Sequence, residues 1–240
     1  LNLNLSLLSR IPLFSNLSSD ELLRLERAAD ERQIRARQVV FLSEQKFDHV
    51  FILVSGRVKL LRGSSGGREV TFSLVNPLEV FGETGLYTNA QTYPCSAETV
   101  EESSIIAFKR SEFEAAVINC SDTLVRLFQL QAKNRLSAEN RISDFIFCDV
   151  TARLARLLVS LVASYGRSTK AGTLLKLKVT HQELANLIGS TRETTTLILS
   201  EFRRKGLIDF AGRKIIVIQP DALSQVEGAS YLHRTTTATD

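Results

Sequence analysis

Two adjacent residues of opposite charge, Arg192 and Glu193, follow a glycine and two hydroxyl residues in the run Gly189-Ser-Thr-Arg-Glu-Thr194. An arginine can donate two parallel hydrogen bonds to guanine O6 and N7, and a glutamate can accept one from cytosine N4. At the first exposed turn of a helix, that pair is equipped for base-edge recognition. Thr180, Gln182, Thr191, Thr194 and Thr195 lie around it and offer short polar side chains for phosphate oxygens, with thymine methyls a second possible partner of Thr191, Thr194 and Thr195. Arg203, Arg204 and Lys205 add charge at the far end, where backbone phosphates are the expected partners of Arg203 and Lys205 if these touch DNA at all. Charge is distributed to match. Residues 150–226 hold 12 Lys or Arg against 5 Asp or Glu, a net of +7, whereas residues 1–149 hold 17 against 19, a net of −2. A basic segment behind a near-neutral one fits a domain that meets a polyanion.

Other chemistries have no comparable support. There is no Ser/His/Asp set, paired-carboxylate motif, phosphate-binding glycine loop or HExxH, so an enzyme is not expected. Cys95, Cys120 and Cys148 are odd in number and widely spaced, and His49, His181 and His233 have no ligand-like spacing. Neither a disulfide framework nor a metal knuckle is written there. Free thiols point to a reducing, cytoplasmic setting. No apolar run is long enough for a transmembrane helix, so no membrane association is expected. Residues 1–10 lack a basic start followed by a small-residue cleavage site, so a secretory signal is not expected.

The elements that must position the pair can be read in turn. Ser18 to Ala29 predicts a helix, capped by Ser18 or Ser19 with Glu21 in its first turn. Short β-branched runs follow at 39–42, 50–54, 58–61, 70–75 and 105–108, with turns at Ser55-Gly56 and Ser64-Ser-Gly-Gly67. They predict a small β-barrel or sandwich. Asp122 to Cys148 holds no Gly or Pro and predicts one long helix. Its heptad-like line is interrupted by Gln131 and Arg135, so it either covers the β domain or pairs with a second copy. Its length of about 40 Å at 1.5 Å per residue favours pairing, and hence a homodimer. Val150 to Ala163 predicts a further amphipathic helix. Thr180 then caps a helix with Glu183 three residues on, and Leu184, Ala185, Leu187 and Ile188 form its inner face. Gly189 suits a left-handed turn into the helix that Arg192 opens, with Ile198 and Leu199 inward. A hairpin around Ala211-Gly212 follows. Together these predict a winged helix-turn-helix that lays its second helix in a major groove. The polar end of the chain is expected to be disordered.

On Asp149-Val-Thr-Ala-Arg-Leu-Ala155, Gly189-Ser-Thr-Arg-Glu-Thr194 and Phe81-Gly-Glu-Thr-Gly-Leu86, the chain resembles the cyclic-AMP receptor protein/FNR family of bacterial transcription regulators over residues about 5 to 220. The docking geometry in the groove is that of the family's founder and is borrowed with the resemblance. The resemblance implies an α+β chain: a cyclic-nucleotide-binding-like β-roll over 1–120, a dimerisation helix over 121–149, a winged-helix DNA-binding domain over 150–226, and a tail over 227–240. It implies double-stranded promoter DNA and RNA polymerase as partners, with Arg192 and Glu193 as base readers. It also implies an effector pocket at Gly82, Glu83, Tyr93, Pro94, Cys95, Ala138 and Glu139.

The departures shape the expectation of ligand. The family's cyclic-AMP binders carry Arg-Ser where this chain has Tyr93-Pro94, and Thr-Ser where it has Ala138-Glu139. A carboxylate without the arginine makes a poor anion site, so cyclic AMP is not expected. No cysteine precedes Cys95, which argues against the family's iron–sulfur cluster. A haem with a single Cys or His axial ligand stays open, and so does redox chemistry at Cys95, whose plainer reading is a buried thiol. The family's second base-reading arginine falls on Leu197, which implies a different half-site. The expected function is a sequence-specific DNA-binding regulator whose β-roll senses a signal other than cyclic AMP. The alternative is a small-molecule or redox sensor module with weak or vestigial DNA binding.

Overall fold

The structure, a computed structural model, describes residues 5–64, 66–67, 69–88, 90–118, 120–177 and 179–226. The tail 227–240 lies outside the described residues. The chain divides into two compact units, Leu1–Leu136 and Ser137–Asp240, with the division falling inside one long helix.

The first unit opens with α1 (Leu5–Arg10), a single 3-10 turn (Pro12–Phe14) and α2 (Ser19–Ala28). A reciprocal Ser18–Glu21 capping box fixes the start of α2 and satisfies backbone donors that no helical carbonyl reaches. Strands β1 (Ala29–Ile34), β2 (Val39–Phe41), β3 (His49–Ser55), β4 (Val58–Gly63), β5 (Glu69–Val75) and β6 (Val80–Phe81) follow. After α3 (Gly85–Thr88) come β7 (Ser96–Thr99), β8 (Ser103–Lys109) and α4 (Arg110–Ile118). The strands form two antiparallel sheets, in the orders β1-β8-β3-β6 and β2-β7-β4-β5. One core serves both and includes Phe41, Phe51, Val58, Phe81, Ala97 and Phe108.

The predicted runs became β2, β3, β4, β5 and β8. β3 and β8 read as continuous apolar runs because both faces are covered: Phe14 and Phe113 pack on Phe108 at 6.1 and 6.2 Å between ring centroids. β1 was not predicted. It is a polar edge strand that pairs with β8 over Ala29–Ile34, and Asp30, Glu31 and Arg32 give it the charged edge that discourages further pairing.

The long helix is α5 (Ser121–Phe147), matching the predicted 122–148. Its first turns are anchored to the first unit. Thr123 and Leu127 are buried, Arg126 Nη1 donates to the Pro12 carbonyl at 2.9 Å, and Asn16 donates to Asp122 at 2.8 Å. On the same helix, Val125, Phe128, Leu136, Ile142, Ile146 and Phe147 are exposed.

The second unit continues with α6 (Val150–Tyr165), capped by Asp149, whose side chain accepts from the Ala152 N–H at 2.7 Å. Next come β9 (Gly166–Thr169), β10 (Gly172–Leu175), α7 (His181–Ile188), α8 (Arg192–Arg204), β11 (Ile208–Ala211), β12 (Lys214–Val217) and α9 (Pro220–Ser224). The predicted hairpin is β11–β12. It extends into a sheet of order β11-β12-β10-β9, whose β9–β10 half was not predicted. Every residue of β9 is exposed, so it carries no alternation to read. No helix among the described residues is long and apolar enough to cross a membrane.

Candidate nucleic-acid interface and effector pocket

α7 and α8 form the helix pair that the sequence predicts. Thr180 and Glu183 make a reciprocal capping box, with Thr180 N–H donating to Glu183 Oε2 at 2.6 Å. Leu184, Ala185, Leu187 and Ile188 are buried, as are Ile198, Leu199 and Phe202 of α8. Gly189 closes α7 at φ 62°, ψ 48°, the left-handed turn that redirects the chain. Thr191 caps α8 by accepting from the Thr194 N–H at 3.2 Å.

Arg192 and Glu193 emerge on the first turn of α8, both exposed and both without a side-chain hydrogen bond or ion pair among the described residues. The groups around them are already engaged. Gln182 donates to Asn186 at 2.8 Å, the Thr191 and Thr194 hydroxyls meet at 3.0 Å, and the Thr180 hydroxyl lies 2.9 Å from Glu183. Thr195 corrects an expectation. Its side chain is fully buried and its hydroxyl donates to the Thr191 carbonyl at 2.9 Å, so it faces the helix pair and not a phosphate. Arg203 and Lys205 lie in exposed ion pairs. Arg203 pairs with Asp209 at 3.0 Å and lies over the Phe210 ring, and Lys205 pairs with Glu201 at 2.7 Å.

The turn is held from behind by side chains that sequence reasoning missed. The last carbonyls of a helix have no intrahelical donor. Arg141 Nη2 donates to the Leu187 carbonyl at 2.8 Å and Arg153 Nε to that of Ile188 at 3.0 Å. These cations also complement the negative end of the α7 dipole. The Arg153 guanidinium lies 4.7 Å from the centre of the Phe145 ring. That ring fills the space beside Gly189, where a Cβ would come within 2.6 Å of Phe145 Cε1. Gly189 is therefore favoured twice, by its backbone angle and by this close approach. Arg153 lies in the quoted 149–155 motif, but nothing in the spacing linked it to a helix terminus more than 30 residues on.

Two of the candidate effector residues of the first unit, Gly82 and Tyr93, pack against one aromatic group. Tyr93 is buried and stacks on Phe41 at 4.0 Å between centroids, and Phe41 stacks in turn on Phe51 at 5.4 Å. The Tyr93 hydroxyl donates to the His49 carbonyl at 2.8 Å and accepts from the His49 N–H at 3.2 Å. Burial pushes its pKa up to about 12. Gly82, at φ 75°, backs the same aromatic group; a Cβ there would lie 3.1 Å from Phe41 Cε1. The Pro94 carbonyl accepts from Arg62 Nε at 2.8 Å.

Glu83 is a buried carboxyl, held above the usual carboxylate range by desolvation against its own backbone N–H and the side chain of Gln131. Gln131 Nε2 donates to Glu83 Oε1 at 2.8 Å, which explains why a polar residue interrupts the α5 heptad line. Burial also pushes the Cys95 thiol up to about 11, leaving little thiolate at neutral pH and weakening the redox reading. Ala138 and Glu139 are exposed and belong to the second unit.

A double-sheet roll, a long helix and a winged helix-turn-helix with an outward Arg-Glu pair define a two-domain DNA-binding regulator. Comparison with known proteins agrees. Residues 31–119 match the cyclic nucleotide-binding domain and residues 152–226 the Crp-like helix-turn-helix domain. The chain is 30% identical over 191 residues to the global nitrogen regulator of Synechocystis sp., covering 78% of this chain and 84% of that one. It is 24% identical over 219 residues to the CRP-like cAMP-activated global transcriptional regulator of Mycobacterium tuberculosis, covering 91% and 97%. The c-di-GMP responsive global regulator CLP of Xanthomonas campestris shares the fold with a TM-score of 0.73 at 23% identity, covering 83% and 99%. The chain belongs to the cyclic-AMP receptor protein/FNR family of transcription regulators.

Proposed function

We propose that this regulator binds promoter DNA sequence-specifically as a homodimer and answers to a signal other than cyclic AMP. The observation that carries the DNA reading is the pair Arg192–Glu193, exposed and unengaged where neighbouring polar groups are tied into the helix pair. Arg192 bonds a guanine edge and Glu193 a cytosine N4, while Thr180, Gln182, Thr191 and Thr194 approach the phosphates. A row of exposed apolar side chains on α5, from Val125 and Phe128 to Ile142 and Ile146, would be an unusual free surface and supports pairing with a second copy. Such a dimer reads two half-sites with centres about 34 Å apart and presents promoter-bound protein to RNA polymerase. Residues 1–120, 121–149 and 150–226 act as sensor, dimerisation helix and reading head.

The case against cyclic AMP rests on the aromatic group. Tyr93 occupies the position where the family's cyclic-AMP binders place a phosphate-holding arginine, and its hydroxyl is spent on the His49 backbone. Glu83, buried beside Gln131, adds no cation. A ligand at about 100 times its dissociation constant stabilises the fold by about 2.7 kcal/mol. Cyclic AMP should therefore leave the melting temperature unmoved, and light scattering should give twice 26.7 kDa at micromolar concentration. A cyclic-AMP-induced rise in melting temperature, or a monomer, would overturn the corresponding part of the proposal.

A further inference from the structure

Leu197 is 71% exposed, the most exposed of the large apolar side chains described, and it projects from the middle of α8. At 100° per residue, the buried Thr195, Ile198, Leu199 and Phe202 define the inner face of α8. Leu197 falls near the centre of the opposite face, one turn beyond Glu193 on the same row. Its neighbours there are polar: Glu193, Thr194, Ser200, Glu201 and Arg204. A lone leucine among charges offers no apolar patch for a protein partner. The hydrogen-bonding groups beside it are also spent, since the Thr196 hydroxyl donates to the Arg192 carbonyl and the Ser200 hydroxyl to that of Thr196.

In a major groove, the apolar group open to such a side chain is the C5-methyl of a pyrimidine, which in unmodified DNA is thymine. We infer that Leu197 is a specificity-determining residue that packs on a thymine methyl in each half-site. The inference rests on the proposed DNA reading by α8. Four residues of helix advance about 6 Å, so the thymine lies within about two base-pair steps of the base that Glu193 meets.

The test begins with sites selected from random duplex DNA by the full-length protein. Each thymine is then replaced singly by deoxyuridine, which removes only the methyl, and binding is compared for the wild type and Leu197→Ala. One thymine per half-site should cost the wild type about fourfold in affinity, the worth of one buried methyl, and cost Leu197→Ala nothing. Repeating the selection with every cytosine C5-methylated separates the sources of the methyl. Enrichment of methylcytosine there, with no thymine in the first selection, would overturn the assignment to thymine. Sites that enrich but show the same deoxyuridine penalties for both proteins would overturn Leu197 alone. Failure to enrich any site would overturn the DNA reading and Leu197 with it.

Discussion

The helix pair at 180–204 and the candidate effector group at 81–95 use polar side chains in opposite ways. In the helix pair, internal hydrogen bonds consume the threonines and Gln182 and leave Arg192 and Glu193 projecting without partners. In the candidate effector group, the carboxyl of Glu83 is buried against Gln131, and Tyr93 stacks on Phe41. An interface that must meet many sequences and choose one needs groups that stay hydrated until contact. A sensor needs a group whose state is coupled to its surroundings, and burial supplies that coupling. The same residue type therefore differs between the two places: Glu193 is exposed and is the proposed reader, whereas Glu83 is buried as an acid held by Gln131.

That contrast can be broken most severely at Gly189. Gly189→Ala adds a Cβ in a left-handed conformation and drives it into Phe145. The backbone alone costs about 1–2 kcal/mol, and displacement of the ring adds to it. Chemical denaturation followed by circular dichroism should show a loss of about 2 kcal/mol or more, together with weakened DNA binding. Full stability in this variant would show that the turn does not depend on the clamp.

A smaller effect is expected at Glu83. Its folded carboxyl titrates above the ordinary value, so the folded chain keeps a proton that the unfolded chain has lost. Stability should then fall as pH rises from the ordinary carboxylate range through the raised folded value, and stay lower above it. Glu83→Gln has no proton to lose and keeps an acceptor for Gln131. Its melting temperature relative to the wild type should rise, by about a few degrees, between acid and neutral pH. A constant offset across that range would contradict the buried acid.

The smallest effect is expected at Lys205. A phosphate contact there would flatten the salt dependence of DNA binding by about one unit on substitution. Lys205 pairs with Glu201 on the surface, so Lys205→Ala should leave the salt slope unchanged and stability little altered.

The helix pair was legible because its signals are local. A threonine cap with Glu183, a glycine turn and a helical apolar period all lie within 25 residues, and each element obeys the same fold. α5 was legible from its lack of Gly and Pro. β1 and β9 were not, because their strand character comes from pairing with β8 and β10 and not from their own residues. Within the site, Thr195 was misassigned because a threonine at helical spacing looks the same whether its hydroxyl points outward or back to residue i−4. Gln131, Arg141 and Arg153 act on residues 35 to 48 positions away, a separation that no motif spacing encodes.

The proposed reading of base edges by α8 through Arg192 has a direct test, the titration of wild type and Arg192→Ala against a selected site and its single-base variants at two salt concentrations. The wild type should prefer the selected site over random DNA by about 1,000-fold or more. Arg192→Ala should lose about 1–3 kcal/mol per half-site and become indifferent at one guanine while keeping its other preferences and its salt slope. An equal loss on every variant, with a flatter salt slope, would make Arg192 a phosphate contact and contradict the account.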